Sequence, residues 1–179
     1  MLFLMILLYW VFVEKPMLKG RIIVADQDGT HVIKFLGDVR LTLCPALDQY
    51  LDNIFNSRHF KTILIDLTET EGIDSTTLGM LAKMSIRMKK KMGFVPTVVS
   101  INDNVTRVLL SMGFDKVFVL VKHLNEHVEP MQELVQGDFS DLTVQQKVLE
   151  AHRTLMGMNQ KNHQEFKNLV DVLESHCVI

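Results

Sequence analysis

The chain has 179 residues, 47% of them hydrophobic and 22% charged, enough apolar material to bury the core of one domain with an appendage. A formal net charge of −2 leaves no basic face for a phosphate backbone, so no direct nucleic-acid partner is expected. The two cysteines, Cys44 and Cys177, lie far apart without a C-x-x-C partner in a chain too large to need stapling, and a reducing cytoplasm fits them.

The opening stretch "MLFLMILLYWVFV" departs from this picture, because all thirteen residues are apolar. It falls short of the roughly 20 residues of an ordinary spanning helix and lacks the basic start and small-residue cleavage site of a secretory signal. Two readings stand. Met17 precedes the first globular patterning, so a start codon assigned too far upstream would account for residues 1–16. Alternatively residues 1–13 are a short membrane anchor with Tyr9 and Trp10 at the interface.

From residue 17 the chain reads as short alternating elements. "RIIVADQDGTHVIKFLG" places two apolar runs around Asp28-Gly29 and predicts a β-hairpin. In "LCPALDQYLDNIFN", Leu43, Leu47, Leu51, Ile54 and Phe55 recur at helical spacing, with Pro45 tolerated in the first turn. "FKTILIDL" then predicts a buried strand and "STTLGMLAKMSIRMKKKMG" a helix, closed by Arg87, Lys89, Lys90, Lys91 and Gly93. "FVPTVVSI" predicts a strand, "NDNVTRVLLSMG" a helix capped by Asn102 or Asn104 and stopped at Gly113, and "DKVFVLV" a last strand. The alternation predicts an α/β domain over residues 17–121, with a mixed sheet of four or five strands and helices mainly on one face.

Residues 122–141 are polar with little periodicity and contain Pro130 and Gly137, which predicts a connector holding at most a short helix. Residues 142–179 form a helical extension. Val144, Val148, Ala151, Leu155 and Met158 make one apolar stripe and Phe166, Leu169, Val170 and Leu173 a second, and Thr143 and Gln146 have capping-box spacing. The extension is either one long helix or a hairpin breaking near Gly157, and its stripes pack on the domain, on a second copy of the chain, or on a partner.

The junction "EGIDSTTLGML" carries three consecutive hydroxyls at a strand-to-helix boundary, where a cap needs one at most. One account is an ordinary N-cap of the Asp/Ser type. The other is chemical: a phosphate on Ser75 or Thr76 would meet the free amides and positive end of the helix. It would add about −1.5 to −2 charges to a surface already carrying Glu69, Glu71 and Asp74.

The run "TILIDLTETEGIDSTTLGMLAKM", followed by "VPTVVSINDNVTRVLLSMGFDKVFVL", resembles the anti-sigma factor antagonist branch of the STAS family over residues 19–121. That resemblance implies a STAS-like mixed sheet and a non-enzymatic partner switch. Its implied partners are an anti-sigma factor, often itself a serine kinase, bound when the acceptor hydroxyl is free and released when it is phosphorylated, and a PP2C-type phosphatase that resets the switch. Carried over by motif, the acceptor is Ser75, with Thr76 as the alternative; Asp74 is the flanking acid and Asp66 the polar residue at the strand end. Thr77 stands where relatives commonly have glycine, and the extension from residue 122 is absent from minimal members. A second function of another class remains, a constitutive STAS-domain subunit of a membrane-associated complex anchored by residues 1–13.

No further chemical site is expected. His123 and His127 are four residues apart but lack a third ligand, so no metal is expected, and neither a G-x-S-x-G elbow nor a G-x-x-x-x-G-K-[ST] loop occurs. No cofactor is implied. Met80, Met84 and Met88 ride the same helix as the acceptor, as core or as an adaptable docking face.

Overall fold

The computed structural model describes residues 18–123, 131–135 and 140–176, so residues 1–13, His127, Pro130 and Gly137 lie outside the described residues. Strands β1 (Arg21–Gln27) and β2 (Thr30–Val39) form the expected hairpin, with Asp28 and Gly29 both at positive φ. The geometry suits this dipeptide: Gly29 has no Cβ to clash, and the Asp26 carboxylate accepts from the Gly29 amide at 2.8 Å. Helix α1 (Cys44–Asn56) follows a 3-10 turn at Leu41–Leu43 and has Pro45 in its first turn, where no amide is missed. Next come β3 (Thr62–Ile73), α2 (Ser75–Met92), β4 (Thr97–Val99), α3 (Asp103–Ser111), a 3-10 turn at Phe114–Lys116, and β5 (Val119–Val121).

The sheet runs in the order β5-β4-β3-β2-β1-β6, with β1 antiparallel to β2 and the pairs from β2 to β5 parallel. Each parallel step is bridged by a helix, as the alternation predicts. The sixth strand corrects the expected count of four or five: β6 (Gln132–Glu133), inside the stretch read as a connector, pairs with β1 through Ile23 and Val24. Two polar residues carry no strand signal, and their pairing is fixed by the open edge of β1. Strand β3 is also longer than "FKTILIDL" suggested, because Glu69, Thr70, Gly72 and Ile73 keep pairing with β2 across two register shifts.

The main core lies on one face. Ile22, Ile33, Phe35, Ile63, Ile65, Leu67 and Val98 from the sheet meet Leu47, Leu51 and Phe55 of α1 and Leu78, Leu81, Met84 and Met88 of α2. Met80, Met84 and Met88 are all buried, which makes them core. Gly93 and Gly113 end α2 and α3 as expected, and Asn102 caps α3 by accepting from the amides of Asn104 and Val105.

The C-terminal segment is a hairpin, α4 (Asp141–Met158) and α5 (Gln160–His176), turning at Asn159, two residues past Gly157 and so near the expected break. Its cap also sits upstream of the expected pair, with Ser140 Oγ accepting from the Thr143 amide. Ala151, Leu155 and Phe166 join the main core, so the hairpin packs on the body of the protein. The Asn162 amide group donates to the carbonyls of Met112 and Leu155, and Asn159 donates to Met112 as well, tying the turn to the end of α3. No helix among the described residues is long and apolar enough to cross a membrane.

Candidate functional site

Asp74 resolves the question of the three hydroxyls by being the cap itself. One carboxylate oxygen accepts from the Thr77 amide at 2.8 Å and the other from the Leu41 amide at 2.6 Å, so a single side chain starts α2 and fastens it to the end of β2. The following hydroxyls are therefore free of capping duty and have separate fates. Thr77 is 1% exposed, and its hydroxyl lies 3.6 Å from the Cys44 thiol, whose pKa burial pushes up to about 12. Thr76 is 5% exposed. Ser75 alone is half-buried, at the first position of the helix, next to the first-turn amides that Asp74 does not take.

Ser75 has a partner 77 residues away. Its Oγ lies 2.9 Å from Nε2 of His152, on α4, and His152 Nδ1 lies 2.8 Å from the Val148 carbonyl oxygen. A carbonyl can only accept, so Nδ1 carries a proton and donates to Val148; in the neutral ring Nε2 then accepts from the Ser75 hydroxyl. The imidazole is 3% exposed and tilts against the Phe166 ring at 5.5 Å, so both of its nitrogens are satisfied inside the protein. His152 escaped the sequence reading, although a signal existed: 148, 151, 152 and 155 have i, i+3, i+4, i+7 spacing, which places a histidine on the buried face of the stripe.

Around this contact α2 and α4 touch closely. A Cβ built on Gly79 would collide with the backbone carbonyl of Ala151, so only glycine permits the approach. Beside it, Asp48 of α1 receives Lys147 of α4 and, at 3.6 Å, Lys83 of α2, while Lys83 reaches Glu150 at 2.9 Å. Lys147 is held above the usual lysine value. Burial works against its charge, but the Asp48 hydrogen bond and the surrounding carboxylates outweigh it.

Asp66 lies apart from this corner. Because β3 continues to Ile73, it sits within the strand, where it accepts from the Thr68 amide at 2.8 Å and pairs with Lys34 at 3.6 Å. The structure thus joins Asp74, Ser75 and Thr77 at one helix start and leaves Asp66 with Lys34 and Glu69 on the sheet. At the far end of α2, Arg87 stacks over the Phe55 ring at 4.4 Å and pairs with Asp52, and Lys91 donates to the Phe55 carbonyl. His123 is exposed, and no group of three metal-ligating side chains occurs among the described residues.

Two comparisons bear on this arrangement. A family model described as STAS domain matches residues 21–129. The crystal structure of an anti-sigma factor antagonist from Mycobacterium paratuberculosis superposes with a TM-score of 0.52 at 26% sequence identity, over 60% of this chain and 89% of that one. The helix start bearing Ser75 falls inside the matched range, and the hairpin bearing His152 falls beyond it.

Proposed function

This chain belongs to the STAS domain family, and from that premise we propose that it is an anti-sigma factor antagonist switched by phosphorylation of Ser75. It binds an anti-sigma factor while Ser75 is unmodified and releases it once the serine kinase activity of that partner has phosphorylated the hydroxyl; a PP2C-type phosphatase restores the binding form. The protein acts in the cytoplasm, by binding and not by catalysis.

The observation that carries this reading is the division of labour at the start of α2. Asp74 supplies the cap, Thr76 and Thr77 are buried, and Ser75 keeps a half-buried hydroxyl at the positive end of an 18-residue helix. A helix start of this kind accommodates a phosphate without loss of the fold. The anti-sigma factor antagonist that superposes on the chain supports the choice of partner class.

The test is capture from the native cell with wild-type, Ser75→Ala and Ser75→Asp chains, with phosphosite mapping by mass spectrometry. Ser75→Ala is expected to retain the anti-sigma partner under conditions that release the wild type, and Ser75→Asp to lose it in part, since one carboxylate carries less charge than a phosphate. Equal capture by all three, or a phosphate on neither Ser75 nor Thr76, would reject the switch and favour a constitutive subunit.

A further inference from the structure

Resting on the reading of Ser75 as the modified hydroxyl, we propose that its phosphorylation unlatches the α4–α5 hairpin from α2 and so takes the docking face apart, besides charging it. The face at issue is the start of α2 together with the flank of α4 beside it, joined by the Ser75–His152 hydrogen bond of 2.9 Å.

The chemistry of the transfer bears on that bond directly. As the Ser75 Oγ–P bond forms, the bond from the γ-phosphoryl group to the departing nucleoside diphosphate breaks, and the hydroxyl proton passes to a base of the serine kinase. That proton is the one the hydroxyl offers in its hydrogen bond to Nε2 of the neutral His152 ring, so the phosphorylated side chain has none to offer. A phosphoryl group has no room in a 2.9 Å gap, so either α4 is pushed outward or the Ser75 side chain turns towards solvent. Both routes leave the Nε2 of a 3% exposed imidazole without its hydrogen bond. The Ala151 carbonyl lies so close to Gly79 that α4 has no room to shift inward, so if the helix makes way it does so by moving outward.

The hairpin has a built-in pivot. Asn159 and Asn162 hold its turn to the Met112 carbonyl at 3.2 and 3.0 Å, remote along α4 from His152 and Lys147. At the other end the hold is the histidine, the buried Leu149 and Ala151 beside it, and the ion pairs of Lys147 and Glu150 with Asp48 and Lys83, which are partly exposed and therefore weaker than the buried contacts. Opening at the His152 end while the Asn159 turn stays seated moves α4 away from Ser75 without unfolding the sheet.

The experiment uses the full chain with phosphoserine installed genetically at position 75, so that it needs no kinase and no partner. Hydrogen exchange followed by mass spectrometry compares it with the unmodified chain. Exchange across residues 147–154 is expected to accelerate about tenfold, the shift that loss of one buried hydrogen bond produces, with β1 to β3 unchanged. His152→Ala in the unmodified chain should accelerate the same segment, and phosphoserine should then add little. Unchanged or slowed exchange in α4, or acceleration spread evenly through the sheet, would overturn the proposal, and the phosphoserine comparison decides this without the variant. Unlatching without any phosphate on Ser75 in cells would reject only the functional reading, whereas a mapped Ser75 phosphate with a static α4 would reject only the latch.

Discussion

Asp74 and Ser75 are adjacent, yet they divide structure from chemistry, because the two oxygens of one carboxylate reach two amides on different segments of chain, which the single oxygen of a hydroxyl does not span. His31 carries a titration that the same physics makes measurable. It is 5% exposed, stacks on Phe60 at 5.9 Å and lies 3.1 Å from the Tyr50 hydroxyl through Nδ1. Burial lowers its pKa from 6.5, against the opposing pull of the Asp26 charge. The unfolded chain takes up a proton as the pH falls through 6.5, while the folded chain does so only at lower pH. The stability tied to this ring is therefore whole above 6.5 and is lost as the pH falls from there through the folded-state value. Thermal melts of the wild type should lose more between about pH 7.5 and about pH 5.5 than those of His31→Gln. Parallel losses in both would exclude His31 as the source.

At the scale of elements, the contact of α2 with α4 rests on Gly79. In an ordinary helix interior, replacing glycine by alanine gains about 1 kcal/mol. At Gly79 the new methyl would meet the Ala151 carbonyl, so Gly79→Ala is expected to cost about 1 to 3 kcal/mol in urea unfolding, reversing the usual sign. Gly157, whose Cβ would meet nothing, serves as the control and should show the ordinary gain. A stabilised Gly79→Ala would mean that α4 does not press on α2. Local chemistry made several elements legible before any coordinates: Asp28-Gly29 demanded a turn with positive φ, Pro45 a first helical turn, and Asn102 and Gly113 the two ends of α3. What escaped depends on distant partners. Gln132 and Glu133 form a strand only because β1 has an open edge, and the cap of α4 is Ser140, three residues before the Thr143 to which the capping-box spacing points. At the site, Ser75 and Asp74 are readable as a motif, and the helical spacing places His152 on a buried face, but its pairing with Ser75 is not readable, since nothing in the local pattern links two residues 77 positions apart.

At the scale of the whole molecule, every strand of the described sheet lies at or beyond Arg21, and the hairpin completes the core with Ala151, Leu155 and Phe166. Deleting residues 1–16 is therefore expected to leave a soluble chain with an unchanged circular dichroism spectrum and melting temperature. A fall in melting temperature of more than about 4 °C, equivalent to about 1 kcal/mol or more for a chain of this size, would assign part of that stretch to the core.

The 77-residue separation of Ser75 from His152 also has a meaning in time. A polypeptide leaves the ribosome from its N-terminus at about 5 to 20 residues per second, so α2 emerges about 4 to 15 s before the residue that will cover its first turn. Each newly made molecule therefore passes through an interval in which the sheet and α2 are available but Ser75 has no histidine to bond. The hydroxyl is least covered at birth, and closure of α4 over it ends that interval once per molecule.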